Sequence, residues 1–170
     1  MSSDAPARFG GRDLLALLLT GAIVAAADQA TKALVAATVG VGERVGVIGD
    51  VVIIWHLRNT GASFSLFQFD GSQVLFLVVT VLAFALIASF HRTFRGRGLW
   101  LQVILGLVLG GTVGNFIDRL RFGYVTDWLS VGLGDSRFPA FNVADASLVV
   151  GMAALVAVLL FGDPQRVSQA

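Results

Sequence analysis

Four apolar stretches, each about as long as the hydrocarbon core of a bilayer requires, leave this chain few ways to fold. A helix crosses that core in roughly 20 residues, and runs of this kind occupy Leu14 to Val39, Gln73 to Phe90, Leu99 to Ile117 and Phe141 to Phe161. Only 14% of the 170 residues are charged while 56% are hydrophobic, against about a quarter charged in soluble domains. A soluble chain of this size has no interior large enough to hide that surface. The expectation is a membrane protein, mainly α, with four transmembrane helices in a single integral domain over residues 1–170.

Two readings compete for the first run. "LLALLLTGAIVAAADQA" resembles a signal-peptide core, with Ala25, Ala26 and Ala27 as a cleavage pattern. Apolar residues resume at Ala33 to Ala36, however, and the whole run is too long for such a core. An uncleaved span is expected.

Arg8 and Arg12 precede the first span, Arg92, Arg95 and Arg97 crowd the connection between the second and third, and Arg166 follows the fourth. If the spans alternate, all six share one side. The positive-inside rule then puts both termini in the cytoplasm, although Arg44, Arg58, Arg119, Arg121 and Arg137 lie at or near the other face. Trp55, Trp100, Tyr124 and Trp128 read as interfacial belt aromatics.

Between the first two spans, the β-branched run Val51 to Trp55 and its flanking glycines read as strand and turn. Open strand edges are excluded from lipid. A small β-structured platform over residues 42–72 is therefore expected on the outer, periplasmic surface, with Gly42, Gly46, Gly49 and Gly61 as turns and hinges. Gly106, Gly110 and Gly114 recur every fourth residue, as do Ala22, Ala26 and Ala30. Both are read as surfaces for close helix packing.

Composition narrows the chemistry. A formal net charge of +1 offers no basic stripe to a nucleic acid. The absence of cysteine removes disulfides, thiolate nucleophiles and cysteine ligands, and a count of two histidines argues against a zinc site. Carboxylates remain as the reactive groups. No metal or cofactor is expected.

An acid inside a span is a functional signal by default, and Asp145 sits about one turn inside the fourth. Asp127, in the link before that span, can reach the same outer pocket. Two carboxyls that close do not both ionise easily, so one keeps a proton while the other acts as base. Such a pair can activate water for peptide hydrolysis. Asn142 lies three residues before Asp145, hence on one helix face. Asn115, Asp118 and Arg119 lie near the same surface, and Asn59 sits in a turn where Gly61 permits close backbone approach. Asp28 and Lys32, four apart, suit an ion pair that either anchors helices or serves the substrate. Asp118 beside Arg119 reads as an interfacial salt bridge. A proton-coupled transporter would also use paired membrane acids, but it needs a polar path through both faces, and here the polar residues crowd one.

The stretches "DQATK" at Asp28 to Lys32, "NTGASF" at Asn59 to Phe64, "GNFIDRLRFGYVTDW" at Gly114 to Trp128 and "FPAFNVADAS" at Phe138 to Ser147 resemble, in order, those of the prolipoprotein signal peptidases, or signal peptidase II. That resemblance implies an intramembrane aspartyl endopeptidase that cuts before the lipobox cysteine of a diacylglyceryl-modified prolipoprotein. It implies Asp127 and Asp145 as the catalytic pair. Asn59, Gly61, Asn115, Arg119, Asn142, Asp28 and Lys32 would support the pair or bind substrate, with Asn115 and Asn142 holding the acids and Arg119 meeting the substrate backbone or the pocket. It further implies a monomer in the bacterial cytoplasmic (inner) membrane among membrane lipid, its site near the extracytoplasmic face. Ser63, and the order Ala146 then Ser147, depart from many members and bear on substrate preference.

Overall fold

The computed structural model describes residues 7–61, 72–134 and 136–161. Ser63 and the second part of the expected platform lie outside the described residues. The elements run α1 (Ala7–Thr38), β1 (Arg44–Ile48), β2 (Val52–Asn59), α2 (Ser72–Phe94), α3 (Leu99–Phe122), β3 (Val125–Leu133), β4 (Ser136–Arg137) and α4 (Val143–Phe161). The four helices are the four expected spans, each long and apolar enough to cross a membrane. Their outward side chains, among them Leu18, Ile23, Leu82, Val149 and Leu160, are exposed and apolar, as befits helices whose solvent is lipid.

α3 is the central helix, packed against α1, α2 and α4. It meets α1 through its glycines. A Cβ on Gly106 would strike Thr20 and the Leu17 carbonyl, one on Gly110 would lie 2.7 Å from the Gly21 carbonyl oxygen, and one on Gly114 would lie 2.6 Å from an Asp28 oxygen. Close approach here is thus a requirement of the side chains α1 presents. The alanine stripe is different: Ala22, Ala26 and Ala30 are exposed on α1, and the packed face is Leu17, Gly21, Val24 and Asp28.

The third helix continues one turn beyond its expected end at Ile117. Asp118 is buried and paired, so it does not mark the edge of the span, and the helix stops only where Gly123 turns left-handed (φ 76°) and donates to Arg119 O at 3.0 Å. At the opposite end of the bundle the buried Asp13 accepts the Gly96 N–H at 2.6 Å, tying the start of α1 to the arginine-rich turn between α2 and α3.

The platform is a four-stranded antiparallel sheet in the order β1-β2-β3-β4. Among the described residues, its first two strands come from the expected platform. The other half is built from the link between α3 and α4, which places Asp127 on a strand. The pairs Leu57 with Asp127 and Asn59 with Val125 set all four side chains on one face. Leu129 and Phe141 bridge, with Phe141 N donating to Leu129 O at 2.9 Å. That bridge brings the entry of α4 alongside β3.

Candidate active site

The site forms where β2, β3 and the ends of α1, α3 and α4 converge. Asn142 caps α4, and its side-chain oxygen accepts the Asp145 N–H at 2.9 Å. Asp145 reaches back to accept the Asn142 N–H at 3.2 Å. This reciprocal capping box accounts for the three-residue spacing. Asn142 therefore lies just outside the helix, where the sequence placed it on the helix face.

Capping also fixes the amide. With its oxygen held by a group that can only donate, Asn142 turns its NH2 to Asp127 Oδ1 at 2.8 Å. Two other asparagines are set in the same manner. Asn59 Oδ1 accepts the Gly61 N–H at 3.0 Å in a tight turn, so its NH2 donates to Asp127 Oδ2 at 2.9 Å. Asn115 Oδ1 accepts from Lys32 Nζ at 3.0 Å and from Asn142 at 3.2 Å, so its NH2 donates to Asp145 Oδ1 at 2.7 Å. Three amides are thereby aimed at two carboxyls, and every carboxyl oxygen has a donor.

Burial, followed by the nearby charge of Asp145, pushes the Asp127 carboxyl up from 3.8 to about 7, against the opposing pull of its bonds to Asn59 and Asn142 and of the Lys32 charge. A group so poised exchanges a proton near neutrality.

Beneath the pair lies a second network. Lys32 bonds Asp28 at 2.7 Å, Asp118 at 3.1 Å and Asn115 at 3.0 Å, so each of its three protons has an acceptor. Asp28, fully buried, also accepts the Ala144 N–H at 2.9 Å in the first turn of α4. Asp118 accepts from the Thr126 N–H at 3.0 Å and from Gln29 at 2.8 Å. The expected pairing of Asp118 with Arg119 does not occur. Asp118 faces Lys32 and ties β3 to α3, while Arg119 donates to the Asn115 carbonyl at 3.3 Å and lies 4.2 Å from the Phe76 ring. Nothing in the sequence singles out Gln29 or Thr126. Gln29 stands within "DQATK", but no local signal links it to Asp118.

Arg119 and Asn59 line one cleft of about 270 Å3, with Thr60, Phe76 and Phe116 in its wall. The cleft adjoins the carboxyl pair through Asn59, and neither acid lines it. Among the described residues no three histidines or acids gather as metal ligands do.

The family model described as signal peptidase (SPase) II matches residues 20–161. Lipoprotein signal peptidase of Geobacter metallireducens is 41% identical over 143 residues, covering 84% of this chain and 88% of that protein. Its counterpart in Enterococcus faecalis is 37% identical over 152 residues, covering 89% and 92%. A bacterial membrane enzyme solved by the in meso method at 1.9 Å superposes with a TM-score of 0.77 at 31% identity, covering 86% of this chain and 94% of that one. With the sequence motifs, the four spans and the family model in agreement over most of its length, the chain belongs to the signal peptidase II family.

Proposed function

We propose that Asp127 and Asp145 are the catalytic pair of this aspartic endopeptidase, which removes the signal peptide of a diacylglyceryl-modified prolipoprotein by cutting before the lipobox cysteine. The observation that carries the reading is the set of three asparagines, each with its oxygen held by a donor and its NH2 on one of the two acids. A merely structural acid pair has no need of three such restraints.

In the reaction Asp145, as carboxylate, takes a proton from water while the water oxygen attacks the scissile carbonyl carbon. Asp127, raised to about 7, gives its proton to the carbonyl oxygen. Collapse of the tetrahedral intermediate breaks the C–N bond. The amine leaves with the proton held by Asp145, and Asp127 recovers one from the hydroxyl that becomes the new carboxyl. Asn115 and Asn142 keep the acids in register, and Arg119 and Asn59 receive the substrate backbone in their cleft. A substrate already anchored by its signal helix and lipid is confined to the membrane plane, which lowers the entropic barrier to alignment.

Arginine distribution supports an orientation in the cytoplasmic membrane with the acids on the outer side, and a single copy contains every group the reaction uses. Labelling of single engineered cysteines tests the orientation: residue 127 and the Arg95 turn reacting from one side would overturn it. The activity is tested by giving purified protein a diacylglyceryl-modified precursor and mapping the cut. Cleavage immediately before the modified cysteine is expected, and cleavage elsewhere, or none, defeats the reading.

A further inference from the structure

A second cavity, of about 350 Å3, lies between the last turns of α1, the middle of β2 and the end of α3. It shares no lining residue with the cleft at Asn59 and Arg119. Lys32 and Asp118 touch it, but both are spent: the three protons of Lys32 go to Asp28, Asp118 and Asn115, and both oxygens of Asp118 already accept. Lys32 has no proton left for a ligand, and Asp118, an anion, can only repel an anionic one.

Two other charged groups of the cavity are in a different state. Arg58 lies over the Tyr124 ring at 4.9 Å and Arg121 over the Phe122 ring at 5.0 Å, and both residues are exposed. Neither takes part in an ion pair among the described residues. A guanidinium held against a ring keeps its N–H fork free in its own plane, and two forks at one cavity match the oxygens of a phosphate. The remaining wall includes Ala33, Ala36 and Val41, all exposed, and Ala33 and Ala36 adjoin the outward apolar Leu34 of α1. A soluble anion gains nothing from that wall, whereas an acyl chain does.

We propose that this cavity binds an anionic membrane phospholipid, its phosphate on Arg58 and Arg121 and an acyl chain along the Ala33 and Ala36 side of α1. A zwitterionic lipid carries its own cation to the two guanidiniums and fits less well. The site is independent of the catalytic assignment, because it uses neither the acids nor the asparagines that hold them.

The test uses the full-length protein in a zwitterionic detergent, with Tm followed during titration of phosphatidylglycerol, phosphatidylcholine or inorganic phosphate. Phosphatidylglycerol should give a saturable rise of several degrees that weakens with salt, as binding to the native state alone requires. Phosphatidylcholine and inorganic phosphate should give much less. R58Q/R121Q should lose the rise, and R44Q, which alters an exposed cation stacked on Trp55, should keep it. Because the double change affects β2 beside Asn59, R121Q alone is also followed by native mass spectrometry. It should retain phosphatidylglycerol about tenfold more weakly than the parent, the loss expected for one charge-assisted bond. An undiminished rise in R58Q/R121Q, or equal retention by R121Q, overturns the site. An equal rise from inorganic phosphate overturns the lipid.

Discussion

Asn142 and Asp145 exchange two hydrogen bonds, Asp145 N–H to Asn142 Oδ1 at 2.9 Å and Asn142 N–H to Asp145 Oδ2 at 3.2 Å. The start of α4 and the geometry of one acid are thus the same piece of structure. Because the cap occupies the Asn142 oxygen, it also decides that the Asn142 NH2 faces Asp127. One asparagine therefore sets both carboxyls relative to each other.

Two jobs at one residue can be separated. Asn142→Ala removes the cap, a loss of about 1 kcal/mol, and also leaves Asp127 Oδ1 without its donor. Asn142→Ser keeps a capping oxygen but cannot reach Asp127 with an NH2. Serine should recover most of the Tm while cleavage stays low. Full recovery of both at matched folded concentration would reduce Asn142 to a helix cap.

A second expectation concerns pH. The folded Asp127 carboxyl sits near 7 instead of 3.8, through burial and the charge of Asp145. As the proton donor it is lost above that value, so kcat/KM should fall as pH rises through about 7. Asn59 favours the ionised form, so Asn59→Ala should move this limb to higher pH and weaken substrate binding through the cleft. For stability the sign is the same: a raised pKa favours the protonated native state, a contribution complete below 3.8 and lost as pH rises through about 7. Asp127→Asn should flatten that decline in Tm. An Asn59→Ala enzyme with parental affinity, rate and pH profile would remove Asn59 from the site.

Lys32 offers a third test, because it joins the ion network to Asn115. The sequence leaves Asp28 and Lys32 open between anchoring helices and serving the substrate. In the structure Lys32→Met leaves Asp28 and Asp118 buried without their cation, at a cost of about 3–5 kcal/mol, and takes from the Asn115 oxygen the shorter of its two hydrogen bonds, leaving only the one from Asn142. Both Tm and cleavage should fall. Asp118→Asn keeps an acceptor and leaves Lys32 paired with Asp28, so its loss should be smaller. A parental Tm for Lys32→Met in detergent would contradict the network.

The four spans were legible because lipid, as solvent, writes itself into composition over ~20 residues. β3 was not. Val125 to Leu133 does contain strand formers, but its pairing depends on β2, far back in the chain, and its acid points to chemistry before conformation. The end of α3 is hidden for a related reason: Asp118 looks like a boundary until Lys32, distant in sequence, is known to neutralise it. The acids themselves were readable, as was their company of asparagines. Which amide reaches which oxygen was not, because those bonds span up to 68 residues.

Small residues on α1 and α3 present two candidate stripes, and the structure distinguishes them. Gly110→Ala sets a Cβ against the Gly21 carbonyl and Val24, so the helices must separate at a cost of about 1–3 kcal/mol. Ala26→Leu points outward and should leave the Tm nearly unchanged. The reverse order in thermal unfolding would mean that α1 packs through its alanines.

Finally, Asp127→Asn and Asp145→Asn should each abolish cleavage while leaving a folded protein that still binds its precursor. An amide has nearly the shape of a carboxyl. Each acid holds one donor on each oxygen, Asn142 and Asn59 on Asp127 and Asn115 and the Asn142 N–H on Asp145. One bond of each pair therefore survives while the other donor faces an NH2, a loss too small to unfold the protein. What the amide cannot do is exchange a proton with water. That help is worth roughly a hundredfold to ten-thousandfold in rate, and both steps of the proposed reaction use it. The two acids act on one proton inventory, so the double variant should be little slower than either single one, since members of one catalytic unit are strongly non-additive. The measurement is cleavage of diacylglyceryl-modified precursor at matched folded concentration, with precursor binding followed separately. Near-parental cleavage by either variant would take that aspartate out of the pair, and a double variant slower by the product of the single losses would show two groups acting independently.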